Sequence, residues 1–141
     1  MAAGETHESV SQMAEAYAQQ AVAQAGDYHA ALDYSESSVM ELEVILSQIS
    51  HQSQTSDELT ETCKRWGSYL GEVVRRRFGG EWSVEQYPGK EFATLTLTVN
   101  GSKLFPSMKI HRRLTQGDGE NVWTFYKMIK ARLDAAPKTI H

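Results

Sequence analysis

At Gly79-Gly80 the hydrophobic period of this chain changes from helical to alternating. Side chains recur every 3.6 residues around a helix and every two along a strand, so the two patterns cannot share one element. Residues 1–78 therefore read as helices. Residues 81–104 read as strands, and a helical pattern returns before the end. Runs of helices followed by a run of strands give an α+β fold: N-terminal helices, a three-stranded antiparallel meander and a C-terminal helix.

Each segment carries its own punctuation. Residues 6–25 place Val10, Met13, Tyr17, Ala21 and Ala25 three and four apart, a narrow stripe on an alanine-rich helix that Gly26-Asp27 ends. Alanine favours the helix but buries little surface, so the element needs a partner. Residues 1–31 are accordingly expected to be a helical arm docked on a domain spanning 32–141, with a dimerisation helix as the open alternative. A second helix is expected from Ser35, as N-cap, to Ile49, burying Val39, Leu42, Ile45, Leu46 and Ile49.

In the third helix Thr55-Ser56-Asp57-Glu58 fits a capping box. Leu59, Cys63, Trp66, Leu70 and Val73 form its stripe, with Gly67 and Gly71 one turn apart beside it. A glycine inside a helix costs about 1 kcal/mol relative to alanine. Close approach of another backbone, expected from the second helix, would offset that cost.

Beyond Gly80, Trp82 and Val84 fall on one face of a first strand, and Ala93, Leu95, Leu97 and Val99 alternate with Thr94, Thr96 and Thr98 in a second. Asn100-Gly101 is a strong signal for a two-residue hairpin turn. Folding back there pairs Val99 with Ser102, Leu97 with Leu104 and Leu95 with Pro106, so the apolar faces coincide. Residues 107–114 continue as a strand or form a short helix, the helix being preferred. A last helix starting near Asp118 or Gly119 would bury Val122, Phe125, Tyr126, Ile129 and Leu133.

Several of these positions form a recognisable pattern. Leu32-Asp33-Tyr34-Ser35-x-x-Ser38 is followed by Gly67-x-Tyr69-Leu70-Gly71-Glu72-Val73-Val74-Arg75 and then Gly79-Gly80-x-Trp82. Phe105-Pro106, Lys109, Arg113, Leu114, Gly117 and Phe125-Tyr126 complete it. Over residues 32–126 this resembles a group of small uncharacterised bacterial α+β domains. The resemblance implies one α+β domain and transfers no activity.

Charge is divided along the chain. Residues 1–63 hold eleven acids and no lysine or arginine, whereas residues 64–141 hold fourteen bases and seven acids. The two parts carry −11 and +7, hidden in an overall −4. Such a division bears on association rather than on fold. The acidic helices are expected either to lie against basic helix ends, within one chain or between two copies, or to leave a polarised surface.

The candidate binding face is basic: Arg75 and Arg76 at the end of the third helix, with Lys109, Arg112 and Arg113 further on. If these groups meet in space they would hold a phosphate or an acidic partner. Three cations in a last helical turn also complement the helix dipole, which makes a solvated face the plainer reading.

No catalytic residue, metal site or cofactor is expected. The five histidines are scattered, Cys63 occupies an apolar helix position, and Glu72 is spaced for ion pairs with Arg75 or Arg76. An enzyme site joining Glu72, Tyr69 and a histidine stays as a third reading. One cysteine, no leader-like N-terminus and no long apolar run point to a cytoplasmic protein without a membrane partner. The expected function is a non-catalytic protein-interaction domain, immunity- or adaptor-like, with another protein as partner and a homodimer possible in principle. Binding of nucleic acid or a phosphorylated ligand through the basic face is the alternative. A pI of 5.7 and the lack of a nucleic-acid motif disfavour nucleic acid.

Overall fold

The break in period at Gly79-Gly80 is where helices give way to sheet in the computed structural model, which describes residues 7–135. Three helices come first: α1 (His7–Gln24), α2 (Ser38–Ile49) and α3 (Ser56–Phe78). Strands β1 (Glu81–Gln86), β2 (Ala93–Val99) and β3 (Ser102–Leu104) follow, then α4 (Pro106–Gln116) and α5 (Val122–Ala135). The fold is α+β, with an antiparallel sheet in the order β1-β2-β3.

Local chemistry sets several boundaries as expected. The Thr55–Glu58 capping box forms in both directions, at 3.1 and 2.7 Å. Asn100 and Gly101 take positive φ values of 50° and 81°, and Val99 faces Ser102 while Leu97 faces Leu104. The third pair, Leu95 with Pro106, does not form. Pro106 instead opens α4, where its missing N–H costs no helical bond. The segment 107–114 is thus helical.

Other boundaries shift. Ser35 Oγ accepts from Ser38 N at 3.2 Å, but the chain makes a tight turn before α2 begins at Ser38. The last helix begins at Val122, because Asp118–Glu120 is a short 3-10 turn and Asn121 Oδ1 caps the N–H groups of Trp123 and Thr124. In α1 the deeply buried line is Val10, Ala14, Ala18 and Ala21, continued by Ala25 in the short 3-10 turn that follows, with Met13 and Tyr17 half-buried beside it. This helix, expected as a docked arm, packs on α3 and β1 within the same core. Alanines let it lie close to α3, which is what their small surface permits.

The tightest approach in the core corrects the expectation for Gly67 and Gly71. A methyl group at Gly67 would lie 2.6 Å from Ser107 Cα, so the neighbour is the start of α4 and not α2. A methyl at Gly71 would lie 2.2 Å from the Trp82 ring. The two glycines together seat α4 and the sheet against one helix.

Candidate functional site

The five cations of the expected basic face are divided among three carboxylates, and each is already paired. Glu72, on α3 and only 1% exposed, receives Arg75 Nε at 2.6 Å and Arg76 Nε at 3.1 Å. It also accepts from Trp82 Nε1 at 2.8 Å. Burial opposes its charge, but the bonds from Arg75 and Trp82 and the neighbouring guanidinium outweigh that and hold the carboxyl below its ordinary range. Arg76 also lies 3.5 Å over the Tyr34 ring, which stacks on Tyr69.

On α4, Lys109 and Arg112 share Glu120 at 2.8 and 3.1 Å. Arg112 also donates to the Tyr87 hydroxyl at 2.7 Å. The bonds from Lys109 and Arg112 keep the Glu120 carboxyl low. Arg113 points inward, its side chain 4% exposed, and pairs with Glu43 at 2.8 Å. The other oxygen of Glu43 accepts from Val122 N at 3.0 Å, so one acid of α2 fastens both α4 and α5.

These pairs explain part of the charge division. Glu36 and Glu43 come from the base-free region; Arg77 and Lys130 meet Glu36, and Arg113 meets Glu43. Two acids of that region, Glu36 just before α2 and Glu43 within it, thus lie against basic side chains of the same chain, in line with one of the arrangements weighed from sequence. For the candidate face, three carboxylates meet five cations. One excess positive charge is left at Glu72 and one at Glu120, and the two clusters share no carboxylate.

The side chains weighed for catalysis are occupied structurally. Tyr69 is fully buried; its hydroxyl accepts from Tyr34 N at 2.8 Å and lies 2.6 Å from Ser38 Oγ. Burial pushes the Cys63 thiol up to about 12, so it is not a thiolate nucleophile at neutral pH. Among the described residues no group of three His, Cys, Asp or Glu side chains is placed to hold a metal ion, and no helix is long and apolar enough to cross a membrane.

A largely apolar concavity lies elsewhere, between the first half of α3, the β1–β2 end of the sheet and α4. Its volume is about 370 Å³, within the ordinary range for ligand sites. Cys63 and Leu95 are buried in its wall, and Met13 from α1 and Met108 from α4 flank them. Val84 and Phe92 stand at its mouth, 44% and 45% exposed. The polar groups are Thr60, Thr94, Ser107, Lys64 and His111. Ser107 Oγ itself is buried against Gly67 of α3, with no hydrogen-bond partner among the described residues.

Sequence reading missed this cleft. Val84 does share a face with Trp82 and pairs with Leu95, as the alternation requires. Gly71 brings α3 down onto Trp82, whereas Thr60, Cys63 and Lys64, two to three turns earlier, line the open end. The one available signal was Phe92 and Val84, large apolar residues next to a turn. No family model, curated protein or solved structure matches this chain.

Proposed function

We propose that this chain is a non-catalytic protein-interaction domain, immunity- or adaptor-like and cytoplasmic, that grips an apolar side chain of its partner in the cleft beside Val84 and Phe92. The observation that carries this reading is the cleft itself: an apolar wall with two half-exposed hydrophobic residues at its mouth. Surface apolar groups gathered around a concavity mark recognition sites more often than scattered ones do. The pairing of Arg75, Arg76, Lys109, Arg112 and Arg113 with Glu72, Glu120 and Glu43 supports placing recognition away from the basic face. Membership of the bacterial group resembled by residues 32–126 belongs to the same proposal.

The test is selection of random dodecapeptides displayed on phage against the whole chain and against Val84→Arg. Val84 is exposed enough to accept arginine without disturbing the core, and the new side chain fills the mouth. Peptides enriched on the wild type are expected to lose binding on V84R while its melting temperature stays unchanged. Enrichment of peptides indifferent to V84R, or of none, overturns the reading.

A further inference from the structure

Resting on that reading, we infer that the partner segment is acidic: an apolar side chain enters the cleft and a carboxylate beside it meets Lys64. Among its lining residues the cleft has no aspartate or glutamate, and its single permanent charge is the Lys64 ammonium. Among the described residues Lys64 has one loose exposed ion-pair partner, Glu61 at 3.6 Å, with the two side chains 43% and 50% exposed. Exposed pairs of this kind hold little free energy, so a carboxylate brought in at the edge of an apolar wall displaces Glu61 readily.

The apolar lining makes room for an uncharged side chain next to that ammonium. Met13 and Met108 in the lining adapt their thioether chains to the apolar group, which leaves its shape broadly specified while the charge is selected. A basic segment would place a second cation beside Lys64.

The experiment sequences the V84R-sensitive clones from the dodecapeptide library and repeats the selection on Lys64→Glu. Lys64 is a surface residue of α3, so reversing its charge leaves the fold intact. Expected clones carry an aromatic or branched aliphatic residue with Asp or Glu within a few positions, and K64E exchanges those acids for Lys or Arg. In a synthetic copy of the leading clone, changing the acid to its amide should weaken binding to wild type about tenfold, the value of one charge-assisted hydrogen bond, and change nothing on K64E.

V84R-sensitive clones without an acid excess, or an acid preference that survives K64E, overturn the inference and leave the cleft as a docking site. Absence of V84R-sensitive clones overturns the protein-interaction reading itself. Sodium octanoate provides the last arm: V84R-sensitive binding of octanoate without any peptide would give the same chemistry to a free amphiphile and refute the acidic-segment proposal.

Discussion

Replacing Gly67 with alanine sets two effects against each other. In an exposed helix interior alanine is better than glycine by about 1 kcal/mol. Here the new methyl would lie 2.6 Å from Ser107 Cα and 2.7 Å from Ser107 N. Those are backbone atoms at the start of α4, so no rotamer change relieves the overlap and the helices must separate. Forcing a methyl into a packed core costs roughly 1–3 kcal/mol, and backbone meeting backbone belongs at the upper end. Subtracting the propensity gain leaves a net loss of about 2 kcal/mol. For 141 residues this corresponds to a fall in Tm of about 7 °C. Urea denaturation followed by fluorescence of the buried Trp66 and Trp82 reads it directly. Gly26→Ala is the control, since nothing lies within 4 Å of a methyl there, and it should be neutral or slightly stabilising. A G67A protein as stable as the wild type, or more so, would refute the close approach of α3 and α4.

Glu72→Ala strands the Trp82 N–H and leaves Arg75 and Arg76 facing each other. With both arginines more than a third exposed, the loss should be about 3 kcal/mol, the lower end for breaking a buried pair. Glu72→Gln keeps an acceptor for Trp82 and should lose less, a difference that urea titration resolves. Stability should also fall in acid. Glu72, Glu36 and Glu120 all bind protons less readily in the folded chain than in the unfolded one. Their contribution is therefore complete above the ordinary glutamate pKa of about 4.3 and is lost as pH falls through the lowered folded values. Urea midpoints between pH 7 and 3 check this: a midpoint that holds steady below pH 4 would contradict the three ion-pair hubs.

How much the sequence disclosed depended on the distance over which each feature acts. The Thr55–Glu58 box and the Asn100-Gly101 turn are local, and each formed as read; in β2 Leu95, Leu97 and Val99 are buried as read, whereas Ala93 is exposed and Thr96 is buried. Gly67 and Gly71 signalled a close neighbour without naming it, because Ser107 and Trp82 become neighbours only through the tertiary fold. The basic clusters were legible as charge and the pairing of Glu72 with Arg75 and Arg76 as helical spacing, whereas Arg113 meets Glu43 across 70 positions, which no local pattern signals. The residues of the Tyr34–Tyr69–Glu72–Trp82 pattern form a buried network, so their prominence in the sequence reflects packing. The cleft was least visible. It exists because α3 meets the sheet at Trp82 and leaves a gap at Val84, a relation between elements that no single periodicity contains.

Nitrogen-15 correlation spectra of the whole chain, titrated with a peptide selected on it, test most directly whether recognition belongs to the cleft. Shifts concentrated at Lys64, Val84, Thr94, Met108 and His111 are the predicted result. Shifts centred on Arg75, Arg76 and Arg112, with the cleft residues unmoved, would contradict it and return recognition to the basic face.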